Sequence, residues 1–234
     1  IRAYYASRGL GDVYKRQGVR SSKQVGDTTY TYTTLSGKVM RQQWGNKSLE
    51  FIYDDGNQPF AMIYNDGSTS TLYYYVLNAQ GDVIALLNEN GTLAASYNYG
   101  AWGNYSVHDD KGAKITKASF IGHINPLRYR GYYYDRETRL YYLQSRYYDF
   151  ANCRFINADG LFADSFIGTN LFAYCVNNPV NTVDYTGNFA IAVTAALLAI
   201  GLAAIVTATG LHRRLHTNLY YNCLLYTSDA ADEL

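Results

Sequence analysis

His212 and His216 stand four residues apart, a spacing that puts two imidazoles on one face of a helix. Two imidazoles could begin a metal site, but such a site needs three or four protein ligands and no third is evident. No metal and no other cofactor is therefore expected. Cys153 and Cys175 could close a disulfide, yet 3 Cys in 234 residues is no disulfide scaffold, and buried free thiols are the expectation. His108 and His123 read as surface residues. Asn46, Asn90 and Asn104 each open an Asn-x-Ser/Thr triplet. There is neither a phosphate-cradling glycine loop nor a nucleophile elbow. Lys+Arg is 20 and Asp+Glu is 19, so the net charge is +1 and no basic face is on offer to a nucleic acid.

The composition says more about architecture than about chemistry. At 234 residues the chain can form one sizeable domain or two small ones, and 48% hydrophobic residues are enough for a core. The bias lies in tyrosine, with 26 Tyr against 3 Pro and 2 Met. Tyrosine favours strands, which argues against a helical bundle.

The two ends read as foreign to the rest. Asp12-Val13-Tyr14-Lys15-Arg16-Gln17 can be encoded by GAT GTG TAT AAG AGA CAG. The reverse complement of that DNA, read one base in, encodes Cys223-Leu224-Leu225-Tyr226-Thr227-Ser228. One short DNA sequence in inverted orientation at both ends is expected of translated sequencing-library adapters, and such segments are set aside before fold reasoning. On this reading 1–17 and 223–234 are not native, Cys223 drops out, and the net charge is unchanged. What remains is a piece of a longer chain.

From 25 to 103 the chain reads as short strands with turn punctuation. Thr28–Thr34 alternates Thr and Tyr and stops at Ser36-Gly37. Phe51–Tyr53, Ala61–Tyr64, Leu72–Leu77, Val83–Leu87 and Leu93–Tyr99 each run into Gly, Asn or Asp, residues suited to tight hairpins. A strand and turn about every ten residues predicts an all-β repeat whose units bury their faces against one another. Residues 104–124 are polar and less regular. Leu127–Asp149 carries three Tyr-rich runs, read as three strands with the first two in a hairpin. A loop-rich stretch starts at Phe155–Asp159, and Asn170–Val176 is expected to form a short helix. Phe189–Val206 has no charge in eighteen residues, which predicts a hydrophobic helix at the lower length limit for contacting or crossing a membrane. Arg213-Arg214 follows it.

RYRGYYYD, LYYLQSRYYD, CRFINADG and NNPVNTVDYTG, in that order and ending at Gly187, resemble the Rhs repeat-associated core. The upstream YYYVLNAQGDVIALLNENGTLAASYNYGAWGN resembles the YD/Rhs repeats that precede it. The resemblance implies a mainly β fold: a repeat ribbon forming part of a hollow shell, closed at one end by a core plug. It implies five segments: 1–17 adapter tail, 18–103 repeats, 104–188 core, 189–222 the start of a variable tail with the hydrophobic helix, and 223–234 adapter tail. Such shells enclose a C-terminal toxin payload, absent here, and belong to secreted or surface proteins of bacteria. In this family the core cuts the chain just after its last motif by means of an Arg and two Asp, which by motif are Arg146, Asp159 and Asp184. The cut would fall near Asn188. Two carboxylates can divide the roles of base and acid in hydrolysis, and a guanidinium beside them would hold one ionised.

Three residues depart from the family pattern. Tyr185 replaces a Pro that would preorganise the last turn. Arg139 stands where the hairpin has Gly, and Phe150 where Pro is common. A reading from another class is a surface YD-repeat protein whose aromatic face binds carbohydrate or a neighbouring cell.

Overall fold

The computed structural model describes residues 10–14, 20–159, 170–188 and 191–192, the first and last of these stretches by backbone alone. The chain divides into a unit spanning 1–190 and a second spanning 191–234.

The described residues of the first unit are mainly antiparallel strands and the turns that join them. Ten of them follow one another in space as in sequence: β1 (Leu10–Tyr14), β2 (Arg20–Val25), β3 (Thr28–Leu35), β4 (Lys38–Trp44), β5 (Lys47–Tyr53), β6 (Pro59–Asn65), β7 (Ser70–Leu77), β8 (Val83–Asn88), β9 (Leu93–Tyr99) and β10 (Tyr105–His108). This is a ribbon of hairpins, as the turn spacing predicts. Bulges interrupt the register after Thr33, Ile52, Val76 and Leu86. Each bulge adds right-handed twist locally. β1 falls within 1–17, the stretch expected to be a foreign tail, and it pairs with β2 from Leu10↔Val25 onward. An edge strand needs only main-chain N–H and C=O groups, which almost any sequence supplies.

A second sheet of four short strands packs onto one face of the ribbon: β11 (Tyr133–Asp135), β12 (Leu140–Leu143), β13 (Arg146–Asp149) and β14 (Arg154–Phe155). Its neighbouring residues point to opposite faces, and both faces are buried. Tyr133, Leu140, Tyr142 and Tyr147 join Tyr32, Leu49, Phe51, Met62, Val83 and Leu86 of the ribbon in one core. Tyr134, Tyr141, Leu143 and Tyr148 pack with Tyr129, Tyr132, Phe155 and Tyr174 in another. The period-two geometry of a strand therefore explains why tyrosines run consecutively here, where a half-buried strand would alternate.

Buried tyrosines are tolerated because their hydroxyls reach main-chain carbonyls at the rims. Tyr97 donates to Gly122 O at 2.9 Å, Tyr141 to Gly103 O at 2.8 Å and Tyr148 to Trp102 O at 2.8 Å. Burial pushes the phenols of Tyr75, Tyr132, Tyr133, Tyr141 and Tyr174 well above their usual value, and that of Tyr97 up to about 12. A phenol that ionises more readily when unfolded favours the folded state fully below its unfolded value of about 10, and loses that contribution as pH rises through the folded value. The expected result is cooperative unfolding above about pH 10 in which tyrosinate absorbance and loss of strand signal coincide. Tyrosinate formed progressively with the sheet intact would contradict it.

Several local expectations are corrected. The run 104–124 contains β10 and a one-turn helix, α1 (Ile121–Ile124). The first Tyr-rich run is strand only at Tyr133–Asp135: Arg130 and Gly131 have φ of +56° and +69°, and a tight helical turn occupies Tyr129–Gly131. Asn170–Val176 is no helix. Ala173 N–H donates to Asn170 O in a turn, Ala173 bridges to Arg154, Phe155 N–H donates to Phe172 O, Tyr174 is buried, and a tight turn follows at Cys175–Asn177. Burial of Tyr174 and backbone pairing to β14 outweigh a weak helical preference.

The hydrophobic helix expected over 189–206 lies outside the described residues except at Ile191–Ala192, which are strand. No helix among the described residues is long and apolar enough to cross a membrane. His212, His216 and Arg213-Arg214 also lie outside them. Cys153 and Cys175 are free thiols, the first half-buried and the second buried. His108 and His123 are half-buried, their rings placed against Gly112 O at 3.1 Å and Ile115 O at 2.8 Å.

Candidate functional site

Arg146 opens β13, directly after the tight turn Leu143–Ser145 in which Gln144 takes φ +62°. The residue is buried, and its guanidinium lies over the Phe155 ring at 3.7 Å from the ring centre. From there it gathers three separate parts of the chain. Nη2 lies 3.0 Å from Asp159 Oδ2 and 3.4 Å from Asp184 Oδ2. Nη1 donates to Leu171 O at 3.3 Å, and Nε donates to Gly187 O. Burial lowers the guanidinium's pKa, and the two carboxylates oppose that effect. The three residues named from sequence are thus in one ion-paired cluster, 38 residues apart at most along the chain.

Each carboxylate is placed by backbone. Asp159 follows β14, and its N–H donates to Leu171 O at 2.9 Å. Asp184 follows the two-residue strand β15 (Thr182–Val183). Its Oδ1 accepts the N–H groups of Thr186, Gly187 and Asn188 at 3.2, 2.7 and 3.2 Å. One carboxylate oxygen thereby ties down the turn that follows it, an Asx-type arrangement. With Tyr185 in place of Pro, these three hydrogen bonds hold the turn instead of a ring.

Residues not singled out from sequence complete the surroundings. Tyr132 donates to Asp184 O at 2.5 Å and meets Tyr174 OH at 3.1 Å. Ser145 Oγ donates to Thr186 O at 2.8 Å. Tyr132 and Ser145 lie inside the recognisable motifs, but nothing in the sequence distinguishes them from wall residues. A cavity of about 550 Å³ opens beside the turn, with Arg130, Tyr132, Gln144, Tyr185 and Thr186 among its lining. Tyr185 is 40% exposed at its edge.

Gly187 is required twice over. Its φ is +78°, and a Cβ there would sit 2.7 Å from Ser145 Oγ and 2.8 Å from Leu143 O. Gly187→Ala is therefore expected to displace the turn from Arg146 while costing about 1–2 kcal/mol of stability. Faster amide exchange at Thr186–Asn188 than in the parent sequence would register the displacement. Exchange rates that match the parent would refute it.

Comparison with known proteins agrees with this architecture. No family model matches the chain. The tRNA nuclease WapA of Bacillus subtilis (strain 168) is 37% identical over 169 residues, which cover 67% of this chain and 7% of that protein. The double-stranded DNA deaminase toxin A of Burkholderia cenocepacia is 30% identical over 116 residues, 50% of this chain and 8% of that one. The chain spans less than a tenth of the length of either relative. Among solved structures, the Photorhabdus luminescens Tc holotoxin pore matches with a TM-score of 0.57 at 19% identity, covering 76% of this chain and 9% of that one. TcdB2-TccC3 without its hypervariable C-terminal region gives a TM-score of 0.57 at 21% identity, with the same coverage. In sequence and in fold the chain is similar to a short segment of Rhs-type toxin proteins, and at that coarse level it fits the Rhs repeat-associated core.

Proposed function

We propose that this chain is the shell wall and core plug of a bacterial carrier that encloses a C-terminal toxin payload and frees it by cutting itself beside Asn188. In this reading 18–103 are wall repeats, 104–188 the core, and the payload begins beyond 189. The parent protein would be secreted or held at the cell surface. The observation that carries the reading is the convergence of Arg146, Asp159 and Asp184 on the turn that ends the last core motif, with the Gly187 carbonyl on the same guanidinium.

The chemistry is hydrolysis with no cofactor. A water adds to the scissile carbonyl carbon; one carboxylate takes the water's proton and the other carboxyl gives a proton to the departing amine. The C–N bond breaks, a C–O bond forms, and the proton count of the pair is restored. Arg146 is positioned to face the negative charge that develops on oxygen, and its burial strengthens that interaction. Because substrate and site share one chain, no binding entropy opposes the step. No turnover on other substrates is expected, since the Asp184 carboxylate is committed to its own turn.

The test is to express the full-length parent and weigh it intact. Two products whose masses place the cut next to Asn188 support the reading. A parent that stays whole in its folded state refutes the release step.

A further inference from the structure

Arg130 is a buried charge that the self-cleavage reading does not use. It is 3% exposed and holds φ +56°, ψ +20°, a conformation that side chains rarely adopt. Such a conformation persists only where surrounding contacts over-determine it. Those contacts come from two distant parts of the chain. On the ribbon side, Arg130 N–H donates to Asp82 Oδ1 at 2.8 Å, and Nη1 lies 3.7 Å from Asp82 Oδ2 and donates to Gln80 O at 3.4 Å. On the other side, Nη2 donates to Pro179 O at 2.6 Å. Gln80 Nε2 closes the circuit by donating to Val180 O at 2.7 Å.

The ribbon end of this circuit is stiff. Asp82 is 4% exposed and sits in the turn between β7 and β8. Asn78 Oδ1 accepts the N–H of Gln80 and of Asp82, both at 2.9 Å, and Asn78 Nδ2 donates to Asp82 Oδ2 at 2.7 Å. The far end is short. From Val180 only Asn181, Thr182 and Val183 intervene before Asp184, and Thr182 is pinned through its Oγ1 to Asn178 O and Cys175 O. Asp184 therefore hangs from a tether whose root is gripped by the ribbon.

We propose that Arg130 and Asp82 form a positioning clamp that couples docking of the β7–β8 turn to self-cleavage: Asp184 is presented to Arg146 only when the wall is seated against the core. The inference rests on the reading of Arg146, Asp159 and Asp184 as the cleavage site. Its consequence is an order of events, in which the carrier cannot release its payload before the wall that encloses it has folded. Arg130 and Asp82 touch no reacting atom; they act through the tether.

The experiment uses the full-length parent. Asp82→Ala should slow the cut at least tenfold, and Asp82→Glu, which keeps the charge, should restore part of the rate. In an Asp159→Asn background that does not cut, Asp82→Ala should speed amide exchange at Thr186–Asn188, whose N–H groups rest on Asp184, while β3–β6 stay protected. Unchanged cutting in Asp82→Ala, a failure of Asp82→Glu to restore any rate, or exchange that rises across the whole ribbon would each overturn the clamp. A wild type that does not cut overturns the cleavage reading and the clamp with it. A wild type that cuts while Asp82→Ala cuts equally fast overturns the clamp alone.

Discussion

Asp184→Asn should leave the full-length parent uncut, with a loss of rate of about 10²–10⁴, the usual effect of removing a general acid or base. The substitution is informative because it spares the turn. An amide oxygen at the same position can still accept the N–H groups of Thr186, Gly187 and Asn188, which Asp184 Oδ1 now accepts. What it cannot do is carry a negative charge 3.4 Å from Arg146 Nη2 or exchange a proton. Asp159→Asn should have an effect of the same order, since its link to Leu171 is through the main chain and survives the change. Arg146→Lys keeps the charge but loses the planar fork that spans both carboxylates and the Gly187 carbonyl, so it too should cut slowly. The measurement is intact mass against time after folding. Cutting at the wild-type rate in either Asn variant would remove that carboxylate from the reaction.

The largest expected effect on stability belongs to Asp135→Ala, at about 3–5 kcal/mol, the cost of breaking a buried ion pair from one side. Asp135 is the last residue of β11, yet its partners lie on the ribbon: Arg20 Nη1 at 2.5 Å and Lys23 Nζ at 2.8 Å. All three are buried. The Arg20 guanidinium is also packed against the rings of Tyr32, Tyr142 and Tyr133 at 4.5, 4.7 and 5.0 Å. Removing the carboxylate strands two cations where water cannot reach them, with only Glu137 left beside Lys23. The denaturation midpoint in urea should fall accordingly, and a shift below about 1 kcal/mol would show that the cluster is solvated.

The same group sets an acid limit. Burial alone would raise its pKa, but the charges of Arg20 and Lys23 outweigh burial and hold the Asp135 carboxyl below the usual range. A carboxyl depressed on folding contributes stability that is present above the unfolded value of about 4 and is lost as pH falls through the folded value. Acid unfolding of the wild type should therefore steepen below about pH 4, and Asp135→Ala should flatten that limb.

The ribbon was legible because its information is local. Thr28–Thr34 alternates, and Asn65-Asp66-Gly67 and Asn88-Glu89-Asn90-Gly91 end strands through side-chain-to-backbone bonds visible in the structure, such as Asp66 Oδ1 accepting from Ser68 and Thr69. The strands at Arg20–Val25 and Lys38–Trp44 were less visible, because Lys, Arg and Gln break their apolar pattern. Their charge makes sense only in three dimensions: Lys23 is buried on Asp135, a residue 112 positions away. The helix expected at Asn170–Val176 failed for the same reason, since β14 and the aromatic core claim that segment. Arg139 is an intermediate case. It stands where the family has Gly, and the structure holds it at φ +62°, so the sequence showed where the hairpin would be strained.

The sequence by itself determined the class of fold, mainly antiparallel β, because hairpin turns and strand period are written within ten residues of each other. Arg146, Asp159 and Asp184 were nominated by the resemblance of its ordered motifs to the Rhs repeat-associated core. Three-dimensional packing alone brings one guanidinium onto both carboxylates and the Gly187 carbonyl, sets Tyr132 and Ser145 beside them, and lets Arg130 and Gln80 hold Pro179 and Val180 ahead of Asp184. Contacts such as Arg130 to Asp82 join residues 48 apart, and no local pattern encodes them. They arise when the small sheet buries one tyrosine face on the ribbon and the other on Tyr174, a packing that draws distant polar groups away from bulk solvent, where each needs a partner.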